Sequence, residues 1–386
     1  MQRRSFAGRD NWVERCAGDG FQFPTLNGKQ YWRETAGYEF SVDEVDRIEA
    51  ATLELHSMCL DLVEDIVKSG DYAQYRLPET ALPLIERSWQ AKELYVYGRF
   101  DLIFDGANIK MLEYNADTPT SLLEASVVQW TWKTDHKLPD QFNSIHEKLV
   151  ERWKLLASTL KPGQRIYFAT GSESGLEDWS NVEYLTETAV QAGIECSLIP
   201  LSEIGWNTQE QAFVDMKGEP IGTCFKLYPW EWVMSDQFGT HIYHSGTKFI
   251  EPAWKMLLSN KAILPLLWKK HSGHPLLLPA YFEGDDSMDL SKGEWIRKPM
   301  LSREGANVSL VQNGEIKPLA GSTHHEGYDR NYVLQERCQL PQFDGWYPII
   351  GSWVIGDESA GMGIREDPNP VTGNESYFVP HFFKEA

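Results

Sequence analysis

The chain has 386 residues, 42% of them hydrophobic and 12% aromatic, and its formal net charge is -20 at pH 7. This composition predicts a globular protein of two or three packed domains and excludes an intrinsically disordered chain. The negative charge argues against nucleic acid or an anionic membrane as the main partner and favours small molecules, polycations among them. Five scattered cysteines without CxxC spacing, no signal-peptide core and no long apolar run predict a cytoplasmic protein.

The first strong element is a long amphipathic helix. Ser41-Val42-Asp43-Glu44 has the capping-box pattern, and apolar residues follow at three- and four-residue spacing as far as Ile66. His56 lies on or beside the apolar face. Because no partner motif accompanies this single imidazole ring, it is interpreted as a structural histidine and not as a ligand.

A β-hairpin is predicted next, with strands at Phe100–Phe104 and Ile109–Tyr114 around the turn Asp105-Gly106-Ala107-Asn108. Side chains alternate between the two faces of a strand. The polar residues of the hairpin can therefore be assigned to faces from their spacing alone.

Four polar side chains fall on what should be one face of this hairpin. Arg99 and Asp101 share a face, and so do Glu113 and Asn115. If Asp101 pairs opposite Glu113, their Cβ atoms lie about 4.5–5.5 Å apart, and carboxylates this close repel unless a cation lies between them. Oxygen ligands alone suit a hard ion such as Mg²⁺ that also binds substrate phosphates, and Arg99 would meet the anion. The alternative is a solvated hairpin with an incidental surface ion pair.

The residues after the hairpin have the pattern of a helix start. Thr118 is a suitable cap and Pro119 a suitable first helical residue, ahead of an apolar run from Leu122 to Trp130. The free N–H groups of a helix N-terminus favour anions. The hairpin is therefore expected to lie beside a site for a phosphate or a substrate carboxylate.

A second amphipathic helix runs from Phe142 to Leu156, and the chain breaks at Lys161-Pro162-Gly163. A βαβ unit follows, with strands at Ile166–Ala169 and Glu195–Pro200 and a helix between them.

The polar loop of this unit, Gly171–Gly175, is neither a nucleophile elbow nor a phosphate-binding glycine loop. With the start of the following helix it supplies three acidic side chains, Glu173, Glu177 and Asp178. They lie at the carboxyl end of a parallel strand, where open α/β sheets bind ligands. Amine binding and structural capping of the helix explain these residues equally well.

The aromatic residues between Tyr228 and Trp232, together with Trp254, are interpreted as core packing. Lys261 stands at the start of an apolar helix, Ile263–Trp268.

The last third of the chain predicts a strand at Glu294–Pro299, a return strand at Val308–Val311 and a polar loop, Leu301–Asn307, between them. A loop that closes a hairpin can place N–H groups and an arginine over a polyphosphate, although a single glycine in a polar turn is common and is weak evidence alone. Lys298 ends the first strand. A further strand, Tyr332–Glu336, suits adenine recognition through backbone groups.

A final hairpin is predicted from Gly351–Ile355 and Gly361–Asp367 around the turn Gly356-Asp357-Glu358. Arg365 lies in its second strand.

Six segments, in chain order, carry a family resemblance: RFD, LEYNADTPTS, SNKAILP, RKPMLSREGANV, LQERCQLP and GMGIRED. Together they resemble the glutathionylspermidine synthase-like branch of the ATP-grasp ligases across nearly the whole chain. The resemblance implies an α/β protein with an ATP-grasp fold, circularly permuted because the metal hairpin precedes the lid, and a βαβ domain of the pre-ATP-grasp type. The domains expected are 1–160, helical with the metal hairpin; 161–250, βαβ and substrate-binding; and 251–386, the lid and nucleotide region.

The resemblance also implies a role for individual residues. The Mg²⁺ ligands implied are Asp101, Glu113 and Asn115. The residues implied to bind ATP are Lys261, Lys298, Ser302, Arg303, Glu304, Gly305, Ala306, Gln335, Glu336 and Arg365. Arg99 is implied to stabilise the acyl phosphate and the oxyanion, and Arg365 to contact the γ-phosphate. The substrate residues implied are Thr118, Thr120, Ser121, Glu177 and Asp178.

The expected activity is therefore that of an acid–amine ligase that cleaves ATP to ADP and phosphate. It would join a peptide-like carboxylate, such as that of glutathione, to an amine such as a polyamine through an acyl phosphate.

Two alternatives stay open: a non-catalytic ATP-binding regulatory or scaffold protein, and a kinase that stops at the phosphorylated carboxylate. The second acid of the amine pair, Asp178, is one methylene shorter than in relatives, so the substrates are not fixed. Bifunctional relatives carry an amidase domain for which this chain has no room, and the sequence does not predict the oligomeric state.

Overall fold

The computed structural model describes residues 1–384 apart from positions 27, 172–174, 289, 329 and 374. The strands of this part of the chain are β1 (Gln2–Ser5), β2 (Thr25–Leu26), β3 (Lys29–Gln30), β4 (Ala36–Ser41), β5 (Tyr97–Phe104), β6 (Ile109–Asn115), β7 (Ile166–Thr170), β8 (Cys196–Pro200), β9 (Gly205–Asn207), β10 (Ala212–Val214), β11 (Thr223–Leu227), β12 (Lys248–Ile250), β13 (Ala280–Phe282), β14 (Glu294–Pro299), β15 (Ser309–Gln312), β16 (Glu315–Pro318), β17 (Tyr332–Glu336), β18 (Tyr347–Ile355), β19 (Glu358–Asp367), β20 (Tyr377–Val379) and β21 (His381–Lys384).

The α-helices alternate with groups of strands and give a mixed α/β fold. They are α1 (Trp12–Gly18), α2 (Val42–Ser69), α3 (Leu82–Gln90), α4 (Gln129–Asp135), α5 (Ile145–Ala157), α6 (Leu176–Gln191), α7 (Trp230–Ser235), α8 (Met256–Ser259) and α9 (Ile263–Lys270). A π turn, Glu124–Val128, leads directly into α4. Within the described ranges no helix is long and apolar enough to cross a membrane.

A five-stranded antiparallel sheet joins the two predicted hairpins in the order β20-β19-β18-β5-β6. Strands that are far apart in the chain thus become neighbours: Asp101 of β5 pairs with Gly351 of β18 on one side and with Glu113 of β6 on the other. The first hairpin and the Arg365 hairpin therefore belong to one sheet.

The described residues form five further sheets, two of which are two-stranded ladders (β2-β3 and β9-β10). A second five-stranded sheet has the order β13-β17-β14-β15-β16, and β1, β4 and β21 bring the two ends of the chain together. The four-stranded sheet is parallel, in the order β12-β11-β7-β8. In it α6 connects β7 to β8, which confirms the predicted βαβ unit.

The long helix α2 supports the first sheet from behind. Its capping box is present: the Glu44 N–H donates to Ser41 Oγ at 3.2 Å, and the Ser41 N–H donates to Glu44 Oε2 at 3.0 Å. His56 on this helix is buried, its Nδ1 lies 3.0 Å from Tyr114 Oη, and burial lowers its pKa. The interpretation of His56 as a structural residue agrees with these contacts.

The predicted helix start at Thr118-Pro119 is wrong. Helical structure begins at Leu122, after Ser121, whose φ is 67°. The Thr118 hydroxyl does not cap a helix because it accepts a hydrogen bond from Arg303 Nη1 at 2.8 Å. The Leu122 N–H donates to Asn181 Oδ1 at 2.9 Å, so the first N–H of the real helix is already used.

Candidate active site

The predicted face of the first hairpin exists as a cluster of four polar side chains. Asp101 lies opposite Glu113 in the ladder, and Arg99 lies opposite Asn115. Arg99 Nε donates to Asp101 Oδ1 at 2.8 Å, and Asn115 Nδ2 donates to Glu113 Oε1 at 3.2 Å. The side chains of Arg99 and Asp101 are only 12% and 15% exposed, so the alternative of a solvated surface ion pair does not describe this hairpin.

The two facing carboxylates have opposite pKa shifts. Burial raises the pKa of Asp101, and the negative charge of Glu113 raises it further, against the opposing effect of Arg99. Burial also disfavours ionisation of Glu113, but Lys261 and Lys298 outweigh it and lower the pKa of that carboxyl to about 2. A divalent cation beside Asp101 would favour its ionised form, as an added positive charge does for any carboxylate.

Whether these residues fit a metal ion depends on the donor set. Across the described residues no three His, Cys, Asp or Glu side chains are grouped closely enough to hold a metal alone. Asp101, Glu113 and Asn115 supply two carboxylates and an amide oxygen, which is an incomplete shell of hard ligands. Mg²⁺ commonly takes one or two carboxylates and completes its shell with phosphates and water, so the residues fit that ion in the presence of a nucleotide.

Two lysines extend from neighbouring elements toward these carboxylates. Lys261 Nζ lies 3.1 Å from Glu113 Oε2 and donates to the Ser302 carbonyl at 2.9 Å. Lys298 Nζ donates to Gln335 Oε1 at 2.7 Å and to the Leu112 carbonyl at 3.2 Å. Burial lowers the pKa of Lys298 to about 8, while the charge of Glu113 opposes that shift.

These groups line one large cavity between the two five-stranded sheets. Its volume is about 660 Å³, which is within the range of small-molecule sites. The predicted residues that line it are Asp101, Glu113, Lys261, Lys298, Ser302, Glu304, Gly305, Gln335 and Glu336. Residues from three distant parts of the sequence therefore meet at one cavity.

The pKa of Lys298 leads to a testable pH dependence. Because this ammonium loses its proton as the pH rises through about 8, we expect the affinity for ATP to fall across that range. Lys298→Arg should keep the affinity nearly constant there, since a guanidinium stays charged up to a pH of about 12 or more. Calorimetric titration with ATP at several pH values measures the affinity of the wild type and of the variant. Equal pH dependence in the two proteins would contradict a phosphate contact at this position.

Arg365 and Arg99 meet at a smaller cavity beside the first. This second cavity is lined by both arginines together with Asp101, Ser121 and Gly351. Arg365 Nη2 donates to the Gly373 carbonyl, while its buried Nε has no hydrogen-bond partner among the residues the structure describes. A buried donor without a partner is costly, so this nitrogen is suited to an anionic ligand.

Gly351 is required by the position of Arg99 and was not identified from the sequence. A Cβ at this position would lie 2.8 Å from Arg99 Cδ. Arg99 therefore crosses the neighbouring strand where no side chain is present. Only the pairing of β18 with β5 shows this, because the two residues are far apart in the chain.

The loop after β14 lies at the cavity, but its arginine does not point into it. Arg303 instead donates to Thr118 Oγ1, lies 3.5 Å from Glu231 Oε1, and has its guanidinium 5.4 Å from the centre of the Trp232 ring. Ala306 is buried and its N–H donates to the Arg303 carbonyl at 2.9 Å. In this structure neither Arg303 nor Ala306 lines the nucleotide-sized cavity.

The aromatic block is only partly core, which corrects its interpretation as packing. Trp230 is buried, and its indole N–H donates to the Glu251 carbonyl at 3.0 Å. Trp232 is 40% exposed and faces Arg303. Helical spacing does not distinguish these two tryptophans, because their exposure depends on which neighbouring segment covers each of them.

Of the described residues predicted to contact substrate, Ser121 alone lines the smaller cavity. The Thr120 carbonyl accepts a hydrogen bond from Arg99 Nη1 at 2.7 Å. Glu177 and Asp178 lie in the first turn of α6, which contacts Leu122, the residue after Ser121, through Asn181. The third acid, Glu173, lies outside the described residues.

Two polar groups near Ser121 were missed by the sequence analysis. Tyr31 Oη lies 3.2 Å from Ser121 Oγ and donates to Glu124 Oε1 at 2.9 Å. Glu124 is fully buried, and burial together with the charge of Glu177 raises its pKa to about 7. No local pattern could have indicated this contact, because Tyr31 comes from a separate part of the chain.

Comparison with known proteins gives a consistent result. The family model described as glutathionylspermidine synthase preATP-grasp matches residues 3–384. A Haemophilus influenzae protein named "Putative acid–amine ligase" is 48% identical, and the alignment covers 98% of each chain. "Trypanothione synthetase" of Crithidia fasciculata is 28% identical over 84% of this chain, and the "Bifunctional glutathionylspermidine synthetase/amidase" of Escherichia coli is 26% identical over 86% of it. The alignments cover only 53% and 56% of those two relatives.

Among solved structures, a glutathione synthetase-like effector from Globodera pallida has a TM-score of 0.56, over 90% of this chain and 89% of that one. At 10% sequence identity this likeness concerns the fold alone. The family match, in contrast, extends over nearly the entire chain. The protein therefore belongs to the glutathionylspermidine synthase family of ligases.

Proposed function

We propose that the protein is an ATP-dependent carbon–nitrogen ligase that joins a peptide-like carboxylate to an amine through an acyl phosphate. One arrangement carries the proposal: two facing carboxylates, two lysines and two arginines meet at the adjoining cavities. Phosphoryl transfer needs positioned positive charge and a metal site more than a side-chain nucleophile. This set of groups supplies both.

ATP would occupy the larger cavity. Lys261 and Lys298 would bind its phosphates, and the loop from Ser302 to Ala306 would cover them. The side-chain amide of Gln335 is held by Lys298 and by the Met111 carbonyl, so we expect the backbone of this strand to border the adenine. Mg²⁺, when bound by Asp101, Glu113 and Asn115, neutralises part of the phosphate charge.

The proposed arrangement of the fold is a circularly permuted ATP-grasp fold. The hairpin with the metal ligands (Tyr97–Asn115) precedes in sequence the strands that border the covering loop (Glu294–Gln312). The division into 1–160, 161–250 and 251–386 is a proposal of the same kind. The parallel sheet of the middle segment supports its treatment as a separate unit.

The acid would bind beside Arg99 and Arg365. Its carboxylate oxygen attacks the γ-phosphorus, the bond to the β-γ bridging oxygen breaks, and ADP leaves. The amine nitrogen then attacks the acyl carbon, and inorganic phosphate leaves with the electrons of the C–O bond. Arg99 would stabilise the charge that develops on the acyl oxygen, and Arg365 the charge on the transferred phosphoryl group.

The substrate classes follow from charge and position. Thr118, Thr120 and Ser121 form the loop beside the two arginines, where a peptide carboxylate would bind. Glu177 and Asp178, in the first turn of α6, add negative charge near this loop, which suits a cationic amine. The names of two relatives contain glutathionylspermidine and trypanothione, and this supports glutathione and spermidine as the first substrates to test.

The test is ADP release by the purified protein with Mg²⁺-ATP, measured with glutathione and spermidine together and with each alone. We expect sustained release only when acid and amine are both present, with formation of an amide seen by mass spectrometry. Equal release with the acid alone would instead indicate a kinase. No stimulation by any member of a peptide and polyamine panel would contradict the ligase assignment and favour a non-catalytic nucleotide-binding protein.

A further inference from the structure

Glu124 is a buried carboxylate to which the proposed function gives no role so far. It is the first residue of the π turn, and such turns within helices are frequent at functional sites. Its Oε1 accepts the hydrogen bond from Tyr31, but its buried Oε2 has no partner in the described part of the chain. A buried carboxylate oxygen without a partner is costly, and a proton taken up at this carboxyl would reduce that cost, which makes Glu124 a candidate for a chemical role.

Hydrogen bonds connect Glu124 to the site of the acid. Tyr31 Oη contacts both Glu124 and Ser121 Oγ, and Ser121 lines the cavity that contains Arg99 and Arg365. The π turn also packs against the strand that carries Arg365. Glu124 itself does not line that cavity; it lies behind Ser121 and Tyr31, near the two arginines beside which the acid would bind.

The charges that face Glu124 set its protonation near neutral pH. Burial and the charge of Glu177 on α6 raise its pKa to about 7, while the hydrogen bond from Tyr31 and the charge of Arg365 on β19 lower it. The helix α5 also packs on the π turn, but its His146 is directed at Tyr184, with Nδ1 2.9 Å from the phenol oxygen. A group that titrates near the working pH is well suited to proton transfer.

We propose that Glu124 accepts the proton that the incoming amine must lose before it can attack. This inference rests on the proposed function, because it concerns the second half of the ligase reaction. An alkylamine is protonated at neutral pH, as a lysine side chain is, and an ammonium nitrogen has no lone pair with which to form a bond. Glu177 would attract the ammonium to the side of the cavity on which Glu124 lies.

The protons and electrons of the step balance. The ammonium gives one proton to Ser121 Oγ while Ser121 passes its own proton to Tyr31 Oη and Tyr31 passes its own to Glu124, so that only Glu124 ends protonated. The free lone pair of the amine then forms the C–N bond. The C–O bond to the phosphoryl group breaks, and phosphate leaves with that electron pair. The second N–H proton leaves with the phosphate, and Glu124 returns its own proton to solvent when product leaves.

The test compares two nucleophiles in wild-type protein and in Glu124→Gln. Glutathione is the acid, and spermidine or hydroxylamine is the amine. Hydroxylamine is uncharged at neutral pH and needs no proton removed before it attacks. We expect Glu124→Gln to lower the rate with spermidine by about 10²-fold or more, as for loss of a general base, and to keep the wild-type rate of hydroxamate formation.

A second variant keeps the inference testable if Glu124→Gln does not fold, as thermal unfolding will show. Glu177→Gln removes a charge that raises the pKa of Glu124, so the acidic limb of the kcat profile with spermidine should move to lower pH. Glu187→Gln, an exposed change on the same helix, should leave that limb at its wild-type position, near pH 7.

The outcomes separate this inference from the proposed function. If wild-type protein forms product but Glu124→Gln slows both nucleophiles equally, or if Glu177→Gln does not move the acidic limb, Glu124 is not the proton acceptor and the ligase function stands. If wild-type protein forms neither amide nor hydroxamate, the ligase proposal fails, and the role of Glu124 fails with it.

Discussion

Glu113→Gln should reduce Mg²⁺-dependent ADP formation by a factor on the order of 10³ or more. The change removes one of the two charged side chains proposed to bind the metal, and it leaves Lys261 and Lys298 without the negative charge that both of them face. The amide keeps the size of the side chain, so the loss would come from charge and not from packing. The fold should persist, since the side chain faces a cavity and lies outside the hydrophobic core.

The measurement is the initial rate of ADP release over a range of Mg²⁺ concentrations at saturating ATP. Glu358→Gln is a suitable control: this exposed glutamate belongs to the same sheet but lies at the turn end of β19. Its Mg²⁺ dependence should equal that of the wild type. If Glu113→Gln shows the same Mg²⁺ dependence as the wild type, Glu113 is not a ligand of the metal.

Arg365→Lys should lower kcat by about 10²- to 10³-fold, which is the usual result when one donor to a developing charge is lost. Lysine keeps the positive charge, but it lacks the planar set of N–H groups that lets Arg365 bind Gly373 through Nη2 and still present Nε to a ligand. KM for ATP should change much less, because the contact would strengthen as the phosphoryl group is transferred.

Steady-state kinetics with ATP as the varied substrate separate kcat from KM. Arg4→Lys is the control, since Arg4 is an exposed arginine in β1 whose charge pairs with Glu39 outside the site. It should leave both constants unchanged. If Arg365→Lys raises KM for ATP as strongly as it lowers kcat, the arginine contributes uniform binding and not stabilisation of the transition state.

Local patterns were sufficient for much of the fold. The capping box at Ser41 and the apolar spacing to Ile66 predicted a helix that the structure has as Val42–Ser69. Alternation along the first hairpin predicted which polar side chains share a face, and in the structure Asp101 does pair with Glu113. Such signals involve residues within one or two turns of helix or across one tight hairpin, so the information lies in a short stretch of sequence.

The wrong predictions concern residues whose partners are remote in the chain. Thr118 has the sequence pattern of a helix cap, yet its hydroxyl accepts a hydrogen bond from Arg303. The preceding residue, Asp117, forms a fully buried ion pair with Lys226 at 2.7 Å. It also accepts a hydrogen bond from the backbone N–H of Trp230. These bonds hold the segment in an irregular loop. Since a helix start is worth only about 1 kcal/mol of capping energy, several long-range contacts readily override it.

The sequence alone thus determined which residues could carry the chemistry and in what order they occur. Carboxylates, lysines and arginines keep their chemistry in any fold, and short motifs fix their spacing. Their convergence was decided only by the tertiary structure. Folding brings Gly351 beside Arg99, turns Arg303 away from the cavity and buries Glu124 against Tyr31. Each of these contacts depends on which distant strands and loops pack together. Burial then shifts the pKa values of Lys298 and Glu124, because the pKa of a side chain follows from its surroundings and not from its position in the sequence.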